Sequence, residues 1–128
     1  MSRWFMPDES APHQCTWIAF GPDEKVWGDS LIDEVRRNLA SIAQTVARFE
    51  PVVLCLREEE IALSTEYFES LDNIYMFPCP LNDIWIRDFG PVFVLNQSGK
   101  KAIVDFNFNG WGEKQDFESD AAVAAKAA

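Results

Sequence analysis

A chain of 128 residues with 48% hydrophobic content suits a single domain with a substantial core and excludes general disorder. The formal net charge of −10 argues against nucleic-acid binding, which needs a basic surface, and is compatible with a small cationic ligand. The apolar runs are too short to cross a bilayer, and residues 1–20 lack the pattern of a signal peptide, so no membrane partner is expected.

The first half of the chain alternates between strand and helix patterns. Residues 16–20 predict a strand closed by Gly21-Pro22, and a helix is predicted to begin near Asp29 or Ser30, both good N-cap residues, and to end before Pro51. Apolar residues recur along this helix at alternating spacings of three and four: Ile32, Val35, Leu39, Ile42, Val46 and Phe49. The continuous apolar run of residues 52–56 then predicts a strand covered on both faces.

The second half adds a hairpin to the same alternation. Three acids at 58–60 open a second predicted helix, with Ile61, Phe68 and Leu71 on its buried face, and residues 73–77 predict a third strand. Residues 92–95 and 101–108 are predicted to form two strands joined by the turn 96–99. Residues 119–127 predict a helix with little to anchor it except Val123, a pattern typical of a helix that leads into a further strand. We therefore expect an α/β fold that is part of a larger one.

The three cysteines indicate a reducing, cytoplasmic environment. Cys15, Cys55 and Cys79 are odd in number and lack CxxC spacing, which argues against a disulfide framework or a zinc site. Cys55, in an apolar run, is predicted to be a core residue, and Cys15 to be structural. Cys79 lies near the segment described next, but nothing nearby is expected to lower its pKa, as a reactive thiol requires. A structural role for Cys79 is therefore favoured over that of a nucleophile.

Residues 82–91, NDIWIRDFGP, contain the most informative pattern. If the chain from Ile84 to Leu95 forms an interior strand, Asp88 is buried, and a buried carboxylate needs a cationic partner. Arg87 would point to the opposite face of a regular strand. Asp88 then either lies on irregular backbone or receives a planar guanidinium from outside, through two parallel hydrogen bonds. The alternative is a structural acid that caps a turn or pairs with another arginine.

Several sequence blocks, in order, resemble the agmatine deiminases and Porphyromonas-type peptidylarginine deiminases. These blocks are MPDE (6–9), PH (12–13), TWIA (16–19), FEPV (49–52), NDxWxRDxGP (82–91) and FNGWG (108–112). The resemblance implies a pentein fold, or α/β propeller, in which five ββαβ-type modules surround a central active site. Residues 1–128 would form a single domain, the amino-terminal fragment that supplies roughly the first third of that propeller.

The resemblance also implies a reaction, the hydrolysis of agmatine to N-carbamoylputrescine and ammonia in polyamine and putrescine biosynthesis. A cysteine would form a covalent intermediate, a His-x-Asp motif would move protons, and no cofactor or metal would take part. That cysteine and that motif are expected beyond Ala128, so the chain alone is expected to be inactive. His13, the only histidine, has no Asp two positions on, and a local hydrogen-bonding role is predicted for it.

Three residues are carried over from the family as candidates. Asp88 matches the catalytic, guanidinium-binding aspartate and Trp85 matches a tryptophan that lines the pocket, where a ring face attracts a cation by roughly 0.5–2 kcal/mol. Asp83 is a weaker candidate, for the distal amine of the substrate. The residues alone leave open a core position for Trp85 and an Asx turn for Asp83. The substrate assignment depends on Asp88 being enclosed, and exposure to open solvent would remove its direct support.

The neighbouring residues receive other expectations. Arg87 is predicted to organise the loop through carbonyls or an acid, and Asn109 and Trp111 are predicted to be structural. The chain departs from the family pattern at Phe20-Gly21, Phe89 and Glu113. The first two departures could alter the shape of the pocket and therefore which guanidine is bound.

Two alternatives remain beside an agmatine deiminase fragment. The parent protein could act on peptidyl-arginine or arginine, because an acidic pocket suits agmatine, which carries an extra ammonium group, and a basic pocket suits a substrate with a carboxylate. The chain could also be a non-catalytic module that binds guanidines or a partner. Its unpaired strand edges and apolar surface would then favour a homo-oligomer.

Overall fold

The computed structural model describes residues 3–128, which form a mixed α/β structure with two three-stranded sheets. The strands are Trp4–Phe5 (β1), Thr16–Ala19 (β2), Val52–Leu56 (β3), Ile74–Pro78 (β4), Val92–Asn96 (β5) and Lys101–Val104 (β6). One sheet is parallel, in the order β2-β3-β4, and the other is antiparallel, in the order β1-β5-β6. The α/β class predicted from the sequence is confirmed.

The helices are mostly short. They are Glu24–Trp27 (α1), Ile32–Ala47 (α2), Ile61–Ser64 (α3), Ile86–Phe89 (α4), Gly110–Glu113 (α5), Glu118–Ala121 (α6) and Val123–Ala127 (α7). The 3-10 turns Glu58–Glu60 and Thr65–Tyr67 flank α3, so the second predicted helix is present only as a broken sequence of turns. Within residues 3–128, no helix combines the length and the hydrophobicity needed to cross a membrane.

β3 is the central strand of the parallel sheet and is covered on both faces, as predicted. Val52, Leu54 and Leu56 face a core shared with Ala40 and Ala43 of α2. Cys55, on the opposite face, belongs to a second core cluster that contains Ala19, Cys79, Leu81, Phe89 and Val123. The strand therefore separates two cores, which explains its uninterrupted apolar sequence.

α2 has the predicted helical period, but its buried face is rotated from the predicted stripe. Ile32 is buried, yet Ile42 is 53% exposed and Phe49 is 81% exposed, so these two predictions are wrong. The small residues Ala40 and Ala43 occupy the positions nearest the sheet, and small side chains allow a close approach of helix and strand. Phe49 lies beyond the end of the helix, and neither Asp29 nor Ser30 caps its start, where Leu31 is the N-cap residue.

The carboxyl-terminal half follows the prediction except around residue 88. β5 and β6 form the predicted antiparallel hairpin, although β6 ends at Val104, and the predicted last helix is present as the two short helices α6 and α7. The interior strand predicted from Ile84 is wrong, because residues 86–89 form one helical turn and β5 begins only at Val92. The backbone N–H of Gly90 closes this turn by donating to the Ile86 carbonyl at 2.8 Å.

Candidate functional site

The candidate site lies where the three parallel strands end. The segments after β2, β3 and β4 contain Trp27, Arg57 and Trp85, respectively. Because parallel strands have their carboxyl ends at one edge of the sheet, these residues are gathered there, at the edge where open α/β sheets bind ligands.

Arg57 ties these segments together. Its guanidinium donates to three carbonyl oxygens, those of Gly21 (3.0 Å), Leu81 (2.9 Å) and Asn82 (3.2 Å). Its Nη1 also donates to Glu60 Oε2 at 2.9 Å, and Glu60 is itself buried. Arg57 thus performs the loop-organising role that was predicted for Arg87. No sequence pattern pointed to Arg57.

Asp83 holds two tryptophans. Its Oδ1 accepts a hydrogen bond from Trp27 Nε1 at 2.9 Å, and its Oδ2 accepts one from Trp85 Nε1 at 2.8 Å. The backbone N–H of Asp23 lies 3.3 Å from the same Oδ1. Asp83 is fully buried, which argues against the direct contact with a substrate amine that was its weaker predicted role.

Asp120 holds the backbone of the loop that contains Asn82 and Asp83. It is fully buried, and its Oδ1 accepts from the backbone N–H of Asn82 at 2.7 Å, while the N–H of Asp83 lies 3.2–3.3 Å from its two oxygens. Asn82 Oδ1 in turn accepts from the backbone N–H groups of Ser119 and Asp120. Burial, with a smaller contribution from the charge of Asp83, raises the pKa of Asp120 to about 6.

An aromatic row extends from Asp83 to the surface. Trp27 and Trp85 are stacked with ring centroids 6.0 Å apart, and Trp111 meets Trp85 edge-on, also at 6.0 Å. Trp85 is 37% exposed and Trp111 is 40% exposed. Trp111 adopts a left-handed φ of 56°, an uncommon conformation for a large side chain that Asn109 supports by accepting from Gly112 N–H. Trp85 is therefore neither a core residue nor freely solvated.

Asp88 is exposed to solvent, so the prediction of an enclosed carboxylate is wrong. The physical reason is the α4 turn, which replaces the predicted strand and turns this side chain outward. Within residues 3–128 no arginine pairs with Asp88, and its carboxylate accepts no hydrogen bond. Its exposure removes the support that burial would have given to a guanidinium site, but its carboxylate is left free to bind a cation.

The other charged residues have local partners. Arg87 pairs with Glu9 at 2.5 Å, which confirms that it contacts an acid. His13 also has the predicted local role, because its Nε2 lies 2.8 Å from the Glu9 carbonyl and its Nδ1 lies 3.1 Å from Glu50. These two acceptors raise the pKa of His13. Thr16 Oγ1 also donates to Glu50, so these contacts fasten residues 9–16 to the body of the protein.

Two of the three cysteines, Cys55 and Cys79, belong to the second core cluster, against which Phe108, a neighbour of Trp111, packs. Cys55 and Cys79 are buried, and Cys15 is partly buried. A hydrogen bond with Cys79 and burial both raise the pKa of Cys55, whereas the same hydrogen bond lowers the pKa of Cys79. The expectation that nothing lowers the pKa of Cys79 is therefore wrong, although this thiol has almost no accessible surface. In the part of the chain that the structure describes, no group of three His, Cys, Asp or Glu residues is arranged to bind a metal.

Comparison with known proteins gives consistent matches. A family model described as Porphyromonas-type peptidyl-arginine deiminase matches residues 5–128. The agmatine deiminase of Stutzerimonas stutzeri is 33% identical over an alignment that covers 96% of this chain and 34% of that protein. The agmatine deiminase of Ectopseudomonas mendocina is also 33% identical, with coverage of 84% and 28%.

Solved structures agree with these matches. A C. jejuni agmatine deiminase, in a cysteine-to-serine variant with substrate bound, superposes with a TM-score of 0.84 at 28% identity, covering 98% of this chain and 36% of that one. An Enterococcus faecalis agmatine deiminase has the same fold, with a TM-score of 0.81 at 24% identity and coverage of 97% and 34%. This chain thus spans about a third of the length of the proteins that it matches.

Proposed function

Since this chain belongs to the Porphyromonas-type peptidyl-arginine deiminase family, we propose that it is the amino-terminal part of an agmatine deiminase-like hydrolase. The complete enzyme would convert agmatine and water to N-carbamoylputrescine and ammonia through a covalent cysteine intermediate. The chain would supply roughly the first third of a five-module propeller, as a single domain, and part of the guanidinium pocket. The relatives named agmatine deiminases support this proposal.

The observation that carries the proposal is the pairing of Trp85 with Asp88 on one turn. Trp85 immediately precedes α4, and the N–H of Asp88 donates to the Trp85 carbonyl at 2.9 Å, so the two residues are held close together in one segment. Among residues 3–128, the exposed carboxylate of Asp88 forms no ion pair, and the indole ring of Trp85 is partly exposed. A guanidinium can form two hydrogen bonds with the first and a cation–π contact with the second.

A peptidyl-arginine or arginine substrate remains the second candidate, because the family description names it. The local charges favour agmatine. Among residues 3–128, Asp88 forms no ion pair, whereas the charge of the neighbouring Arg87 is offset by Glu9, so the local charge favours the ammonium group of agmatine over a substrate carboxylate. Titrating agmatine against arginine and an arginine-containing peptide separates the two, and tighter binding of agmatine is expected.

The role of Asp88 is tested by titrating agmatine into the chain while the indole N–H resonances are followed by NMR. Asp88→Asn should weaken binding about tenfold, as expected for the loss of about 1.4 kcal/mol from a charge-assisted contact. Asp72→Asn is the matched control, since it removes the same charge from an exposed residue on the groove beside α2. Equal affinities in the two variants would contradict the assignment of Asp88.

A further inference from the structure

Asp83 is a buried carboxylate that holds two tryptophan side chains, and such a contact is unusual. It is fully buried, and each of its two oxygens accepts one indole N–H, from Trp27 and from Trp85. Burying a carboxylate is costly unless it is well hydrogen-bonded, and apolar packing would hold two rings in a core without that cost. The arrangement therefore requires an explanation beyond packing.

We propose that Asp83, together with Trp27, is a positioning residue that fixes and polarises the Trp85 ring for cation binding. This inference rests on the proposed function, because it concerns the same guanidinium site. Asp83 does not touch the ligand in this arrangement. It acts through Trp85, whose partly exposed ring would contact the cation.

The surroundings of Trp85 fix the position of its ring. The Trp85 ring is restrained by three contacts: its N–H bond to Asp83, its stack on Trp27 at an interplanar angle of 24°, and its T-shaped contact with Trp111. Asp83 is held in turn by the backbone N–H of Asp23, and its own backbone N–H faces Asp120. A ring that is already fixed loses less conformational freedom when a ligand binds.

Asp83 also changes the electrostatic properties of the Trp85 ring. An indole N–H that donates to a carboxylate is polarised, so that electron density on its ring increases. A cation is attracted by the negative face of an aromatic ring, and Asp83 therefore strengthens the attraction of Trp85 for a cation. A neutral molecule of the same shape gains nothing from this effect. Charge selectivity thus distinguishes this role from a merely structural one.

The test compares butylguanidinium with butylurea, which have similar shapes but differ in charge. Their affinities for the chain are measured by NMR titration in the parent and in Asp83→Asn, whose amide can accept only one of the two indole N–H groups. We expect Asp83→Asn to weaken butylguanidinium binding about fivefold more than butylurea binding. An equal change for both probes would overturn the proposal.

Asp116→Asn is the matched control. Asp116 is exposed and pairs with Lys25 of α1 at 3.1 Å, so this variant removes one charge and loosens one contact of α1 without touching an indole. The ratio of the two affinities should stay at the parent value. If Asp83→Asn does not fold, Trp27→Phe is used in its place. This variant keeps the hydrogen bond from Trp85 to Asp83, so butylguanidinium binding should still weaken more than butylurea binding, but by less than fivefold. An equal change for both probes would again overturn the proposal.

The outcome can be separated from that of the proposed function. If butylguanidinium and agmatine both fail to bind the parent chain, the proposed function is contradicted for this chain. The positioning role, which is defined by cation binding, is then contradicted with it. If both probes bind the parent and Asp83→Asn weakens them equally, the positioning role alone is refuted and the proposed function stands. Hydrogen exchange of the indole N–H groups without ligand tests only the fixing of the rings: faster exchange at both Trp27 and Trp85 in Asp83→Asn, with parent rates in Asp116→Asn, is expected, and unchanged rates would also refute the positioning role.

Discussion

At the scale of single residues, the candidate site depends on two buried acids that have different surroundings. Asp83 receives N–H groups from two side chains and a backbone amide, whereas Asp120 receives only backbone N–H groups. Burial and the neighbouring Asp83 favour the neutral form of Asp120, while its backbone donors and Arg57 oppose this. The loop that presents Trp85 is therefore coupled to a proton on Asp120.

This coupling predicts a pH-dependent stability. The pKa of Asp120 is raised to about 6 in the folded protein from 3.8, so its contribution is fully present below about pH 4 and is lost as the pH rises through 6. The ionised carboxylate should lower the free energy of unfolding by up to roughly 3 kcal/mol relative to the protonated form. Urea unfolding of the parent and of Asp120→Asn between pH 4 and 7 measures this effect.

The difference between the two proteins is the informative quantity. The pKa values of Glu50 and Asp8 are lowered, chiefly by hydrogen bonds from Thr16 to Glu50 and from Ser10 to Asp8. These two carboxylates therefore stabilise the fold as the pH rises. These contributions are common to both proteins and cancel. Asp120→Asn should gain stability relative to the parent as the pH rises from 4 to 7, and parallel curves would refute the role of Asp120.

At the scale of elements, Arg57 is the contact that brings three segments together. It follows β3 directly and bonds to carbonyls in the segments after β2 and β4. Arg57→Met keeps much of the side-chain volume but leaves Glu60 with Arg36 as its remaining partner and three carbonyls without a donor. We expect a loss of about 2–4 kcal/mol in the free energy of unfolding, measured by urea titration.

The control for this substitution is Arg37→Met. Arg37 lies on α2 and is largely exposed, with its Nη2 4.0 Å from Asp33. A solvent-exposed pair of this length contributes little, so a change within about 0.5 kcal/mol is expected. Similar losses for the two variants would show that Arg57 has no special part in joining the loops.

The elements that the sequence predicts correctly are those determined by local pattern. β3 is a run of apolar residues, α2 has a helical period, and the β5–β6 hairpin has a strong turn sequence at 96–99. α4 could not be predicted in this way. Its single turn is stabilised by Ile86 and Phe89, which pack against the second core cluster, and by the close approach of Gly90 to Ile86.

The candidate site was predicted in part for the same reason. Trp85 and Asp88 belong to one short segment, so the sequence could identify them together. The contacts of Asp83 with Trp27 and of Asp120 with Asn82 join positions 56 and 38 residues apart. No local pattern encodes such a contact, and the supporting residues became visible only in three dimensions.

At the scale of the whole molecule, the candidate site exposes aromatic and acidic side chains, whereas two of the three cysteines are buried. Trp85, Trp111 and Asp88 are exposed, but Cys55 and Cys79 are buried in the second core cluster. His13, the only histidine, is engaged by Glu9 and Glu50, and Glu9 also pairs with Arg87 beside Asp88. The residues proposed to bind a guanidinium are thus separated from groups able to attack it by the burial of the two thiols and by the hydrogen bonds of the imidazole.

The final prediction follows from this separation. The purified chain should bind agmatine but release no ammonia from it, because covalent catalysis needs a thiolate within reach of the guanidinium carbon and a base beside it. Ammonia release is measured over hours at high chain concentration, with the agmatine deiminase of Stutzerimonas stutzeri as the positive control. Turnover that thiol alkylation abolishes, and that Cys79→Ser also removes, would show that the buried thiol becomes accessible and that the chain is catalytically complete.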